Sequence, residues 1–341
     1  MSKCDLKIEL EEPRRTYRPG EPIKGSVRVE VDANCECEGL TLARAWRTHG
    51  RGNVSSGEPA TEVLHRGPWY AGETHRYPFE VPAPPGPFTY HGHYLNVDWY
   101  LTARADIPWA LDPKAEEEFL LAPPAAPTSP TERAQPDQGP AADPQALFTK
   151  VGLVMGCVFG AVGLTVGAIG VTSALADGDL ESWLMLPFGA VFALVGGGVA
   201  YMAIRNSLAE RKLGPVRFAV QPARCVPGTA LRVTLACSPR ASGEILGITA
   251  TLHGYERCVS GSGSNRRTHT HSLHERAISL CGGRSFSAGD DLALEGELRL
   301  PDDAPFSFES GSNDLIWSVS ASIDIAGWPD WSSTCAVTVR P

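Results

Sequence analysis

Hydrophobic and polar positions alternate along both ends of the chain, whereas its middle holds two long apolar runs. The alternation is clear in residues 6–10 (LKIEL) and 26–31 (SVRVEV), and it predicts strands that bury one face and expose the other. Residues 151–176 and 183–204 contain no charged side chain. Each run is long enough for a helix that crosses a bilayer, which needs about 20 apolar residues. The pattern therefore predicts antiparallel β-sandwiches on either side of a transmembrane hairpin.

Composition divides the chain further. Residues 122–147 hold seven prolines and no aromatic side chain, so little in this stretch offsets the entropy lost on ordering. We therefore predict a mainly β chain in which a Pro-rich linker and a two-helix hairpin separate two sandwiches. The predicted segments are an N-terminal β-sandwich (1–121), a disordered linker (122–147), the hairpin (148–204, with spans of about 149–176 and 182–204), a short basic linker (205–214) and a C-terminal β-sandwich (215–341).

The two β-rich segments carry the same landmarks in the same order. Pro19-Gly20 corresponds to Pro227-Gly228 at an offset of 208 residues, and Trp99 corresponds to Trp317 at an offset of 218. Proline pre-sets φ and glycine permits a positive φ, so the Pro-Gly pairs suit tight turns. A tryptophan on an alternating strand is typical of a sandwich core. The repeated order indicates a duplication.

These turn and strand motifs resemble those of the arrestin superfamily, over roughly residues 6–121 and 216–341. The resemblance implies two arrestin-like, immunoglobulin-like β-sandwiches that serve as an adaptor, holding a membrane cargo and recruiting other proteins. Residues 122–214 depart from the family pattern, in which the sandwiches are joined directly and are soluble. The motifs are YRPGEPIKGSV at 17–27, FEVP at 79–82, FTYHG at 88–92 and VDWYLTARADIPW at 97–109, with weaker counterparts in LHGYE at 252–256 and FSF at 306–308.

Charges beside the apolar runs predict the orientation of the hairpin. Lys150 precedes the first run, and Arg205, Arg211 and Lys212 follow the second, whereas the turn between the runs is acidic (Asp177, Asp179, Glu181). Cytoplasmic flanks are enriched in basic residues, so we expect an integral protein of the cell or inner membrane with both termini in the cytoplasm. The N-terminal residues MSKCDLKIEL lack the apolar core of a secretory signal. Nine scattered cysteines also favour a reducing compartment.

Small residues form one stripe on each predicted span, and such residues let helix backbones approach closely in lipid. Two interpretations remain: the stripes face each other and close the hairpin, or one stripe joins separate chains into a homo-oligomer. The apolar runs 151–176 and 183–204 contain no charged side chain, which argues against a pump or transporter. The candidate helix-packing residues are Gly152, Gly156, Gly160, Gly163, Gly167 and Gly170 in the first span and Gly189, Ala193, Gly196 and Ala200 in the second.

Candidate chemistry is sparse. His269 and His271 point to one face of a predicted strand, which suits metal ligation, but they follow a Gly/Ser-rich hairpin tip and favour an exposed polar strand. Cys35-Glu36-Cys37 lacks the second cysteine pair of a zinc site, and His91-Gly92-His93 is expected in a surface loop. We find no nucleophile elbow, P-loop or dinucleotide fingerprint. We therefore expect no cofactor and no catalytic activity.

The net charge of −9, with 39 acidic against 30 basic residues, argues against nucleic acid as a partner. The sequence predicts a membrane-anchored scaffold or adaptor that contacts membrane lipid through its hairpin and binds protein partners, either membrane cargo or signalling proteins. An exposed sheet edge or a concave surface would make the contact. The alternative is an oligomeric membrane effector or pore assembled through the Gly-rich helices, with the sandwiches as sensors. A metal-dependent activity at His269 and His271 is a third interpretation.

Overall fold

Strands occupy both ends of the chain and two long helices lie between them, in a computed structural model that describes residues 3–124, 144–177 and 180–341. The strands form two β-sandwiches, one before and one after the helices. The prediction of a mainly β chain with two sandwiches around a helical hairpin is therefore confirmed. Residues 125–143 of the predicted linker, and Asp179 in the turn between the spans, lie outside the described residues.

The N-terminal sandwich packs a three-stranded sheet against a six-stranded one. The small sheet has the order β1-β3-β6, and the large one has the order β2-β9-β8-β4-β5 with β7 paired to β8. All pairs are antiparallel except β2 with β9. The strands are β1 (Cys4–Leu10), β2 (Thr16–Tyr17), β3 (Pro22–Val31), β4 (Cys35–Gly50), β5 (Ala60–Trp69), β6 (Thr74–Pro82), β7 (Tyr90–His91), β8 (Leu95–Asp106) and β9 (Lys114–Leu121).

The C-terminal sandwich has the same strand order. Its small sheet is β10-β12-β16, and its large sheet is β11-β19-β18-β13-β14, with β17 paired to β18 and β15 added to β13. Its strands are β10 (Arg217–Gln221), β11 (Arg224–Cys225), β12 (Ala230–Cys237), β13 (Gly243–Ser260), β14 (Arg267–Cys281), β15 (Arg284–Phe286), β16 (Leu292–Arg299), β17 (Phe308–Glu309), β18 (Asn313–Ile325) and β19 (Trp331–Val339).

The two Pro-Gly turns occupy equivalent places. Gly20 has φ +80° and its N–H donates to the Ala83 carbonyl at 3.0 Å; Gly228 has φ +78° and its N–H donates to the Pro301 carbonyl at 2.9 Å. A side chain at either position would be strained, because L-residues with a Cβ avoid this left-handed region. In each sandwich the Pro-Gly turn thus stands just before one strand and is hydrogen-bonded to a residue just after the neighbouring strand. These strands are β3 and β6 in the N-terminal sandwich and β12 and β16 in the C-terminal one.

The two landmark tryptophans fill equivalent core positions. Trp99 is 5% exposed and Trp317 is 2% exposed, each on the central strand of the large sheet. Their indole N–H groups donate to the Pro87 and Pro305 carbonyls at 2.7 and 2.9 Å. Each ring buries a large apolar area while its polar atom remains hydrogen-bonded, which is how tryptophan is tolerated in a core.

Helices α1 (Pro144–Asp177) and α2 (Leu180–Leu213) are both long and apolar enough to span a membrane, over Val154–Ala176 and Trp183–Leu213. They pack along their small residues. A Cβ on Gly156 would lie 2.6 Å from the Ala200 nitrogen, and one on Gly189 would lie 2.7 Å from the Gly167 nitrogen. At these two positions the backbone of the other helix leaves space for the hydrogen atom of glycine but not for a side chain.

Not every glycine of the stripe faces the partner helix. A Cβ on Gly163 or Gly196 would overlap the other helix's backbone, at Ala193 and Gly160 respectively. A Cβ on Gly160 or Gly167, in contrast, would meet nothing within 4 Å. Gly170 is buried, and Gly152 lies outside the residues whose surroundings the structure describes. The stripes therefore close the hairpin through only part of their glycines.

The predicted linker over 205–214 differs from the structure, in which α2 continues to Leu213. Ala209 and Leu213 are fully buried in the core of the C-terminal sandwich. They are four residues apart and so lie on one face of the helix, which extends the helix across the sandwich surface. Arg211 and Lys212, two of the basic residues that suggested a linker, occupy the last turn of this helix, where cations are stabilised by the helix dipole. Helix α1 likewise begins at Pro144, inside the predicted Pro-rich linker.

Substituting leucine for Gly163 is expected to separate the two helices, because its side chain would overlap the Ala193 backbone. Cysteines at Phe159 and Phe192, whose ring centres are 6.0 Å apart, report the packing through disulfide formation in a Cys157→Ser background. We expect the yield to fall severalfold in Gly163→Leu. The matched control Gly160→Leu adds the same side chain on the open side and should leave the yield unchanged. Equal yields in the two variants would contradict this packing.

Candidate functional site

The two sandwiches meet along a seam formed by equivalent ends of their large sheets. Four side chains, two from each sandwich, make a small core there: Leu95 and Val97 from β8, Cys258 from β13 and Leu315 from β18. All four are at most 3% exposed. This cluster is separate from the core inside each sandwich, so burial of apolar surface holds the halves together.

Aromatic pairs extend the seam. Trp46 meets Phe308 edge to face with ring centres 5.4 Å apart, and Phe88 meets Phe306 in a similar arrangement at 5.3 Å. Both distances suit the edge-to-face attraction between aromatic rings, which contributes about 0.5–1.5 kcal/mol beyond area burial.

A buried carboxylate lies at the centre of the seam. Glu256 on β13 is fully buried, and its oxygens accept hydrogen bonds from the Tyr90 hydroxyl at 2.8 Å and from the His93 and Tyr94 backbone N–H groups at 2.9 and 2.6 Å. All three donors belong to the N-terminal sandwich. Burial first, and then the hydrogen bond to Glu256, raise the pKa of Tyr90 well above its usual value, so its hydroxyl stays protonated and donates. An ionised carboxylate tolerates burial only with such partners.

An amide forms the second polar contact. Asn313 on β18 is 1% exposed, and its Nδ2 donates to the Thr48 hydroxyl at 3.0 Å and to the Asn53 carbonyl at 2.7 Å. The Asn53 side chain in turn pairs with the backbone of Gly261, as donor to its carbonyl and as acceptor from its N–H, both at 3.0 Å. These contacts fix the loop after β4 against the C-terminal sandwich.

The two histidine motifs meet at this seam. The sequence predicts a surface loop for His91-Gly92-His93, but the His93 ring stacks on His271 with centres 4.2 Å apart. Tyr94 packs edge to face against both His269 and His271. Both of these histidines are half-buried, and the His269 Nε2 atom lies 3.2 Å from the Ser260 hydroxyl. Residues 91–93 are exposed, as the sequence predicts. The contact of His93 with the other sandwich was not predicted, because nothing local in the sequence shows which loop touches it.

The Cys35-Glu36-Cys37 motif belongs to the interior of the N-terminal sandwich. Cys35 and Cys37 are buried with Cys4 in its core cluster. Burial is the main cause that raises the pKa of Cys37 to about 11 and that of Cys4 to about 12. Thiols with such pKa values stay protonated at neutral pH and are poor nucleophiles and poor metal ligands.

A groove of about 1080 Å³ opens between the sandwiches beside the seam. Its walls are mainly proline and aromatic side chains, with the carboxylates of Asp302 and Asp303 and the guanidinium of Arg340 also present. The apolar lining includes Pro85, Pro87, Phe88, Tyr90, Pro123, Pro227, Pro301, Pro305, Phe306, Phe308 and Trp317. Concave, largely apolar sites with a few polar groups are typical of ligand-binding surfaces.

Comparison with known proteins finds similarity among solved structures. No family model matches the chain, and no curated protein sequence matches it. Among solved structures, the chain is similar to Spo0M, a sporulation control protein from Bacillus subtilis, with 18% sequence identity and a TM-score of 0.31. The match covers 37% of this chain and 49% of that protein, so the chain spans about half of that protein's length.

Replacing Glu256 by glutamine is expected to loosen the seam. The glutamine side chain replaces one of the two acceptor oxygens of Glu256 by an NH2 group, which is a donor, so the three donors of the N-terminal sandwich can no longer all be accepted. An unsatisfied buried polar group costs about 1–3 kcal/mol. We expect a lower thermal midpoint and a broader distance distribution between one spin label on each sandwich. The matched control is Glu309→Gln, an exposed glutamate of the same sandwich, which should change neither measurement. Equal behaviour of the two variants would mean that Glu256 does not hold the seam.

Proposed function

We propose that this chain is a membrane-anchored, arrestin-like scaffold that binds protein partners and has no catalytic activity. The observation that supports the anchoring is the continuity of α2, which carries an apolar, membrane-length segment directly into the core of the C-terminal sandwich. A sandwich joined in this way would sit at the bilayer surface in one fixed orientation.

The contacts at the base of α2 support a rigid junction between the helix and the sandwich. Asn206 forms two hydrogen bonds with the backbone of Ser332, as donor at 2.7 Å and as acceptor at 3.1 Å. The Trp328 indole donates to the Leu208 carbonyl at 2.8 Å, and the Lys212 ammonium lies 5.6 Å from the centre of the Trp328 ring. Hydrogen bonds, a cation–π contact and the buried apolar face of the helix therefore act together.

The binding surface that we propose is the groove between the sandwiches, and its occupant is an extended, proline-containing segment of a partner protein. Grooves lined by aromatic side chains bind such segments because a polyproline helix is already extended and loses little entropy on binding. Asp302 and Asp303 lie together on one wall, which favours a segment with a basic residue at that point. Confinement to a membrane would raise the effective concentration of partners in the same bilayer.

The absence of catalysis is part of the same proposal. The buried polar side chains at the seam, Glu256 and Asn313, are used by hydrogen bonds between the sandwiches. A general base must instead reach a proton of a bound substrate. Groups fully engaged in holding two domains together are better suited to a binding protein than to an enzyme.

One observation favours the alternative of an oligomeric effector or pore. Gly160 and Gly167 on α1 leave open space where a Cβ would lie, so a second copy of the hairpin has a smooth surface on which to pack. Under this alternative Gly160→Leu would abolish crosslinks between chains. For a scaffold with a single hairpin, the same substitution would leave the crosslinking result unchanged.

Labelling tests the orientation of the hairpin. A cysteine introduced at Asp179, between the helices, should react with a membrane-impermeant maleimide in intact cells, because we expect that turn outside. A cysteine at the exposed Asp303 should react only after the cells are lysed. Eight native cysteines, all except Cys157, are buried or only half-exposed in the sandwiches. Replacing the half-exposed Cys281 and Cys335 lowers the background. Labelling of Asp303→Cys in intact cells would overturn the orientation.

Charge reversal tests the groove. Asp303→Arg should weaken binding of proline-containing peptides that carry a basic residue by about fivefold, since an exposed charge contributes about 1 kcal/mol. Fluorescence anisotropy with the full chain in detergent measures this, using peptides with and without the basic residue. The control Glu295→Arg reverses an exposed charge outside the groove and should leave binding unchanged. No peptide binding, or an equal loss in both variants, would contradict the proposal.

A further inference from the structure

Three potential metal ligands converge on the outer face of the N-terminal sandwich. His91, Asp98 and Glu118 each place one ligand atom, an imidazole nitrogen or a carboxylate oxygen, within 4.8 Å of the other two. The His91 Nε2 atom lies 2.6 Å from Asp98 Oδ1. Among the residues that the structure describes, these three form the group of His, Cys, Asp and Glu side chains whose ligand atoms lie close enough together to hold one metal ion.

Strand register brings these residues together. His91 on β7 lies opposite Asn96, two residues before Asp98 on β8, and Glu118 on β9 lies opposite Tyr100, two residues after it. Diagonal neighbours on one sheet face are within reach of each other's side chains. Because three adjacent strands contribute one ligand each, the sheet itself sets the spacing of the group.

Asp98 breaks the burial pattern of its strand. The residues that alternate with it on the outer face, such as Asn96 and Tyr100, are half-buried or exposed, whereas the Asp98 side chain is only 9% exposed. A buried carboxylate needs compensation. In the described part of the chain its hydrogen-bond and ion-pair partner is His91, a neutral group unless it is protonated.

The cation on the neighbouring strand forms its ion pair with a different carboxylate. Arg47 lies opposite Asp98 in the register, but its guanidinium pairs with Glu116 and lies over the Tyr100 ring, 3.9 Å from the ring centre. Within the described residues the exposed Glu118 carboxylate has no hydrogen-bond or ion-pair partner. The site therefore combines two carboxylates and an imidazole, and no ion pair with a lysine or arginine is formed by Asp98 or Glu118 within the described residues.

We propose that His91, Asp98 and Glu118 bind one divalent cation of the Mn²⁺ or Zn²⁺ class. One imidazole nitrogen with two carboxylate oxygens is a ligand set that such ions accept, with bonds of about 2.0–2.2 Å and further positions taken by water. The exposure of His91 and Glu118 gives the ion a path from solvent and lets both side chains adjust. This inference does not depend on the proposed scaffold function.

The site is adjacent to the seam, so metal binding would affect the contact between the sandwiches. His91 follows Tyr90, and both Tyr90 and His93 donate hydrogen bonds to the buried Glu256. β7 is only two residues long, and a bound ion would add a link between it and the two neighbouring strands. The metal would thereby fix the segment that carries the donors to Glu256.

Mn²⁺ is the appropriate probe, because the nine cysteines of the chain favour softer ions. The full chain in detergent, freed of metal by a chelator, is titrated with Mn²⁺ while electron paramagnetic resonance follows the free ion. We expect one bound Mn²⁺ per chain and displacement by Zn²⁺. Glu118→Gln and His91→Gln change exposed side chains and should weaken binding by about tenfold or more, since even groups that only support a ligand contribute 10–100-fold.

Two matched controls separate this site from general effects. Glu73→Gln alters a histidine–glutamate pair of the same sandwich, with Glu73 Oε2 3.0 Å from His75 Nε2, and should leave Mn²⁺ binding unchanged. Glu256→Gln should also bind one Mn²⁺, which distinguishes a loosened seam from a lost metal site. The proposal is overturned if no ion binds, if Glu118→Gln and His91→Gln bind as the unaltered chain does, or if Glu73→Gln loses as much affinity.

Discussion

The burial of one carboxylate between two sandwiches is the constraint on which the architecture depends. Glu256 has left water completely, so its charge must be met by Tyr90, His93 and Tyr94 of the other sandwich. Apolar contacts such as the cluster around Leu315 tolerate sliding, whereas three hydrogen bonds to a single group do not. The relative position of the sandwiches, and with it the shape of the groove, therefore follows from this contact.

Local patterns in the sequence were sufficient for the fold class. Period-2 alternation, two uncharged runs and repeated Pro-Gly and Trp landmarks predict sandwiches around a helical hairpin, because each reflects a nearby burial or turn requirement. The end of α2 was missed since charged residues suggested a linker, although Ala209 and Leu213 are spaced as one buried helix face. Burial against another domain can extend a helix whose own sequence is polar.

The candidate site was harder to predict, for a physical reason. Seam contacts join residues 160 or more positions apart, so no window of sequence contains both partners. One signal was present: Leu252, Glu256 and Cys258 occupy the same face of an alternating strand, and a charge at an inward position implies a partner elsewhere. His91, Asp98 and Glu118 likewise converge only after three strands are in register.

The shared strand order has a consequence for how the halves recognise each other. Thr48 lies opposite Val97 in the N-terminal sandwich, and Glu256 lies opposite Leu315 in the equivalent register of the C-terminal one. With identical residues at both positions, either half could pair with its own kind on a neighbouring molecule. Two C-terminal halves brought face to face would instead trap two uncompensated anions. The difference between Thr48 and Glu256 at this position thus disfavours the pairing of like halves.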